Sequence, residues 1–219
     1  MRLGTFVAIL LALVGAPAFG AIPILDTTVT YSSSGAPASS YTWSHTTGAI
    51  ANAELIVQGG FSTGTVSGVS ANGMAMTLIA GSTTLNPIYA IAAAASTTYT
   101  VVFTFTFPSS LKAASISFGN VRTSPFSAAS TASSSSSPLS ATVTSDSNSI
   151  VLAMTSGLAT FTASQTLLWG GASHCAEYAA GSATTSVGFT FIGGFGNQTM
   201  SYVSMEGTPI TALSGSFFY

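Results

Sequence analysis

The densest concentration of reactive side chains is Ser173-His174-Cys175-Ala176-Glu177. A thiol beside an imidazole suggests a cysteine nucleophile or part of a metal site. Spacing argues against both. Adjacent side chains on a strand point to opposite faces, so His174 and Cys175 do not meet. Cys175 and Glu177 share a face, where a carboxylate raises the pKa of a thiol instead of activating it. A metal needs about three or four ligands, and the only other histidine is the distant His45. The expected arrangement is a small buried Cys175 with His174 at the surface, and no metal, cofactor or catalytic residue.

A glycosidase needs two convergent carboxylates. The chain has five acids, Asp26, Glu54, Asp146, Glu177 and Glu206, and nothing in their spacing selects a pair. Serines abound, but no Gly-x-Ser-x-Gly elbow marks one as a nucleophile. Aromatic rings offer a different chemistry, because exposed Trp and Tyr faces stack on sugars. Trp43, Trp169, Tyr178 and Tyr202, with Tyr89 beside them, are the candidates for glycan contact. The alternative for each is core packing. Asn197-Gln198-Thr199 is a glycosylation sequon in a Gly-rich turn, of a kind that chance supplies in a Thr-rich chain.

The elements that would hold these residues are strands. Thr98 to Phe107 ends in alternating Phe and Thr, giving one aromatic and one hydroxyl face. Ser186 to Ile192 and Ser149 to Thr155 are further strong strand signals. Weaker ones lie at Ile24–Tyr31, Tyr41–His45, Glu54–Phe61, Met74–Ile79, Ala113–Phe118, Leu139–Thr144, Thr166–Trp169 and Thr199–Glu206. Asn72-Gly73 predicts a hairpin with a type I′ turn. Ala90 to Ala95 reads as a strand end and loop. The low-complexity runs Ser32–Ser40 and Ser127–Ser137 read as linkers or loops.

Charge is scarce. Only 4% of residues are Asp, Glu, Lys or Arg, against about 25% in an ordinary soluble domain. Ser, Thr, Gly and Ala take their place, so the surface lacks the repulsion that keeps copies apart. Without a basic patch, nucleic-acid binding and charge-driven lipid binding are excluded. The single Cys175 forms no internal disulfide.

Residues 1–20 read as a signal peptide: Arg2, an apolar run from Leu3 to Val14, then Ala18-Phe19-Gly20 as a small-x-small cleavage site. Export leaves no membrane segment after cleavage and a mature start at Ala21. Residues 21–40 then form a first strand and a Ser-rich linker, and residues 41–219 one β-sandwich domain. Two uncharged ends are candidates for strand addition to a neighbour: Ile22, Ile24 and Leu25, and Phe217, Phe218 and Tyr219.

The order of motifs resembles a group of β-sandwich domains found in bacterial extracellular proteins and in phage virion or tail-associated proteins. It is carried by Ser44-His45-Thr46-Thr47-Gly48 before Glu54-Leu55-Ile56-Val57-Gln58-Gly59-Gly60. Val66-Ser67-Gly68-Val69 follows, and then Asn72 to Ile79, Ile88-Tyr89-Ala90-Ile91 and the Thr/Val/Phe strand. Ala114 to Val121, Pro125-Phe126, Ser149 to Ala153 and Gln165 to Trp169 complete it. Such domains typically carry more charge, and often an Asp-Gln pair where this chain has Arg122-Thr123. The resemblance implies a jelly-roll-like antiparallel sandwich used as a structural or adhesive module outside the cell.

The expectation is an all-β, antiparallel, jelly-roll-like β-sandwich, secreted or at the cell surface. It would build or decorate an extracellular assembly such as a filament, surface layer or virion appendage. Its partners would be other copies of itself or an extracellular protein. A glycan-binding or host-adhesion module is the alternative, and a secreted hydrolase ranks third.

Overall fold

A computed structural model describes residues 20–32, 36–157, 159–171, 173–193 and 196–209. Residues 1–19 of the expected signal peptide and the Phe217-Phe218-Tyr219 end lie outside the described residues.

Antiparallel strands form a stack of four sheets. In the first half, β1 (Ile24–Ser32), β2 (Ala38–Thr46), β3 (Ala53–Phe61), β4 (Val66–Ala71), β5 (Met74–Ala75), β6 (Thr77–Ser82), β7 (Leu85–Ala93), β8 (Thr98–Ser109) and β9 (Leu111–Gly119) make two sheets. Their orders are β1-β9-β3-β7-β6 and β2-β8-β4-β5. In the second half, β10 (Val121–Ser134), β11 (Leu139–Val143), β12 (Ser149–Ser156), β13 (Thr160–Ala163), β14 (Thr166–Gly171), β15 (His174–Ala180), β16 (Thr185–Ile192) and β17 (Gln198–Gly207) follow. Their orders are β10-β17-β12-β15-β14 and β11-β16-β13. With β5 set aside, the two orders superimpose strand for strand, with β1 matching β10 and β9 matching β17. The chain is a jelly-roll sandwich built twice.

Side-chain periodicity explains the stacking. Residues 53–60 and 113–119 are buried without a break, and so are 149–155. Such strands must be covered on both faces. β2 and β8 instead alternate buried with exposed residues, so their sheet has one wet face. Three cores result. Leu55 and Val57 of β3 meet Trp43, Val101 and Phe103 inside the first roll. Ile56, Ile116 and Phe118 meet Leu152, Met154 and Val203 between the rolls. Val151 and Ala153 meet Phe161, Val187 and Phe189 inside the second. Each inner sheet thus belongs to two cores, and the two outer sheets close the stack.

The Asn72-Gly73 hairpin joins β4 to β5 with φ of 49° and 78°, the left-handed pair that a type I′ turn requires. Two expectations need correction. Met74–Ile79 is not one strand. Met76 is buried in the first core, and there the chain leaves the outer sheet as β5 and enters the inner sheet as β6. Ser127–Ser137 is not all loop either. β10 runs to Ser134 as an edge strand paired with β17, with Thr131 opposite Ser201 and Ser134 opposite Gln198. Backbone groups make that ladder, so a serine-rich segment needs no apolar side chains of its own to join it.

Candidate functional site

Polar side chains buried between layers form three clusters, and the second lines a cavity where the two rolls meet. The first staples the sheets of the first roll. Trp43 Nε1 donates to Ser115 Oγ at 2.9 Å, and Ser115 Oγ lies 2.9 Å from His45 Nδ1. Thr27 Oγ1 donates to the Thr46 carbonyl at 2.8 Å and lies 3.0 Å from His45 Nε2. Ser115 and Thr27 thus hold the ring at both nitrogens. Ser117 links Thr27 to Asp26, whose carboxylate also accepts from the Gly48 amide. Burial lowers the pKa of His45 against the opposing pull of Asp26. Every group here is partnered, which reads as structure.

The second cluster lines a cavity of about 470 Å³ where the inner sheets of the two rolls meet. His174 on β15 stands at its wall, half-buried and not at the surface as its spacing suggested. Three contacts hold the ring. Ser173 Oγ lies 2.7 Å from Nδ1. The Trp169 indole stacks on it at 6.3 Å between centroids, at an interplanar angle of 28°. Its edge lies against Gly60, where any Cβ would overlap the imidazole. Trp169 is itself pinned by Nε1 donating to Gln58 Oε1 at 2.9 Å across the inter-roll core. Beside His174, on the paired strand β12, Ser156 Oγ donates to Asn86 Oδ1 at 2.5 Å, and Asn86 Nδ2 donates to the Thr199 carbonyl at 2.8 Å. Lys112 on β9 completes the lining, and no carboxylate takes part in it. Burial first, and then the Lys112 charge, push His174 down to about 4. An imidazole that weakly basic is a poor activator of the Ser173 hydroxyl.

The third cluster surrounds Glu177, fully buried on β15. Its carboxylate accepts from the amides of Ser164, Gln165 and Gly188 at 2.7, 2.8 and 2.6 Å. Burial raises its pKa, and the three N–H donors pull the other way. Cys175 shares its face, as alternation predicts. Burial first, and then Glu177, push its thiol up to about 11, which leaves it unreactive.

The glycan candidates do not converge. Trp43 lies in the core of the first roll, at 8% exposure, stacked on Tyr31. Trp169, 7% exposed, lies in the core between the rolls, with Tyr178 packed against that core and edge-on to Phe118. Tyr202 packs on the core of the second roll, and Tyr89 is buried in the first. For Trp43, Trp169 and Tyr89 the structure takes the core-packing alternative, and the rings share no exposed face. Each indole N–H found an internal acceptor, so the rings filled cores.

The acids are also dispersed. Glu206 pairs with Arg122 at 2.5 Å, Asp146 lies in an exposed loop, and Asp26, Glu54 and Glu177 sit on different strands. Among the described residues, no three His, Cys, Asp or Glu side chains are placed to share a metal. Of the strand-addition candidates, Ile24 and Leu25 pair within the chain, opposite Gly119 and Phe118. Ile22 and Ile24 remain 45% and 48% exposed beside that edge.

Sequence reasoning missed Lys112, Asn86, Ser156 and Gly60. Two signals pointed there: Lys112 is the single lysine, and a Gly-Gly pair ends the apolar run of β3. No family model matches the chain, and no curated protein matches it. The antiparallel all-β fold is what remains of the resemblance.

Proposed function

We propose that the protein is an exported structural subunit that builds or decorates an extracellular assembly through its two outer sheets. One observation carries the reading. Every described Asp, Glu, Lys and Arg lies on an inner-sheet strand or, for Asp146, in a loop, and none lies on an outer-sheet strand. The outer face of the first roll presents Ser40, Thr42, Ser44 and Thr46 beside Thr98, Thr100, Val102 and Thr104. That of the second presents Ser140, Thr142, Thr160, Thr162, Ser186 and Thr190, with Ile192 82% exposed at its end.

Hydroxyls donate and accept, so such faces are complementary to one another and cost less to dehydrate than charged ones. They form opposite ends of the stack. A contact between unlike ends of successive copies is heterologous, and it propagates into a filament or ring. The reading of residues 1–20 as a signal peptide supports export.

The test is negative-stain microscopy and light scattering of the secreted protein, beside Thr100→Lys and Thr162→Lys variants, one on each outer face. The expected result is a regular assembly that either lysine disperses into folded monomers. A wild-type protein that stays monomeric when concentrated would end this reading.

A further inference from the structure

We propose that the cavity between the two rolls binds a polyhydroxylated carboxylate of the uronic-acid class, with Lys112 meeting the carboxylate and His174 and Ser156 the hydroxyls. The inference is independent of the assembly reading, because the cavity faces neither outer sheet.

Charge sets the ligand class. Lys112 is the only lysine of the chain, and among the described residues it has no ion-pair partner. It lies within a lining that contains no acid. One cation without a counterion favours one anionic group. The other polar groups of the lining are neutral hydroxyls, the amide of Asn86 and the weakly basic His174. A phosphate dianion would call for more positive charge than one lysine supplies. A neutral sugar would leave that lysine unused. A molecule with one negative charge and several hydroxyls uses both.

Geometry sets the positions. His174 Nδ1 is taken by Ser173, and among the described residues Nε2 has no hydrogen-bond partner. The ring cannot swing away, because Trp169 covers its face and Gly60 lies against its edge. Ser156 has given its hydrogen to Asn86, so its oxygen is oriented as an acceptor. His174 Nε2 and the Ser156 oxygen are thus held in place before any ligand arrives, which lowers the ordering cost of binding. Phe61 and Leu85 add apolar wall for the C–H face of a sugar ring. A volume of about 470 Å³ lies within the ordinary range of small-molecule sites.

The test titrates the full chain with glucuronate by calorimetry, and by the fluorescence of Trp169, which lies against His174. Glucose, acetate and a uronic-acid oligosaccharide are run beside it. Lys112→Gln and Ser156→Ala are compared after circular dichroism shows that each is folded. Glucuronate should bind, glucose and acetate should bind at least about tenfold more weakly, and Lys112→Gln should lose at least about tenfold. Ser156→Ala should lose several-fold. Tighter binding of the oligosaccharide assigns the ligand to a polysaccharide, and equal binding assigns it to a free sugar acid. Absence of glucuronate binding, acetate binding as well as glucuronate, or an unchanged affinity in Lys112→Gln would each overturn the proposal.

Discussion

Replacing Glu54 by glutamine should change how stability depends on pH, in a direction and by an amount that the fold dictates. Glu54 lies on β3, opposite Phe118 and Ala92 in the neighbouring strands, and is 7% exposed. Burial raises its pKa from 4.5 to about 7. The folded protein therefore keeps a proton that the unfolded chain releases between those values. Stability from this group is complete below pH 4.5 and is lost as pH rises through about 7. At about 1.4 kcal/mol per pH unit, the loss reaches about 3 kcal/mol.

His174 works the other way. Burial and Lys112 lower it from 6.5 to about 4, so the unfolded chain takes up a proton that the folded protein refuses. Its contribution is complete above 6.5 and is lost as pH falls toward about 4. In the wild type the two slopes oppose each other across the shared range. Glu54→Gln removes only the first. Its stability should rise with pH up to about neutrality, and above that exceed the wild type by up to about 3 kcal/mol relative to the difference in acid. Urea unfolding of both proteins between about pH 4 and pH 8 measures this. Parallel profiles would refute the reasoning, because they would mean that Glu54 ionises alike in both states.

Ser115→Ala should cost about 2–4 kcal/mol in urea unfolding, because it strips partners from both Trp43 Nε1 and His45 Nδ1 inside the first roll. Glu177→Ala should cost about 3–5 kcal/mol, since three buried amide donors lose their acceptor at once. Gly60→Ala should lower the melting temperature by several degrees, at about 1–3 kcal/mol, by forcing the His174 ring off Trp169. Cys175 should resist alkylation by iodoacetamide at neutral pH until the protein is unfolded, as a thiol at about 11 with 2% exposure requires.

Periodicity made the strands legible because each residue's face follows from its parity. The Phe-Thr alternation of Thr98 to Phe107 is the outer strand β8, and its threonines are the wet face. The apolar run Ile150 to Met154 is the heart of the doubly covered strand β12. What stayed hidden was order. Nothing in a strand's own sequence says that β3 lies between β9 and β7, because that pairing is made by backbone groups every residue carries. The duplication was hidden for the same reason: equivalent strands share a place in the ladder and not their side chains. The cavity was illegible because its walls, Gly60, Asn86, Lys112, Ser156 and His174, come from five strands and meet only once both rolls are stacked. The tryptophans misled because a ring that can stack on a sugar can equally fill a core. Only the position of an acceptor such as Ser115 or Gln58 decides between them.

The distribution of charge runs against what folding alone requires. A charged side chain costs least where water reaches it, so a free sheet face is its ordinary place and a doubly covered sheet its worst. Here the outer faces depart from that. Glu54 and Glu177 are buried on inner strands, while the outer strands β2, β8, β11, β13 and β16 carry no charge although each has a wet face. Stability would permit lysine or glutamate at Thr42, Thr100, Thr162 or Thr190, since exposed substitutions of this kind usually change it by no more than about 0.5 kcal/mol. Solubility would favour them, and edges are ordinarily protected with them. On the proposed reading, a constraint that neither stability nor solubility imposes acts on the outer faces themselves. A surface that has to meet another uncharged surface imposes that constraint, since one lysine buried at such a contact would have to give up its hydration without a partner.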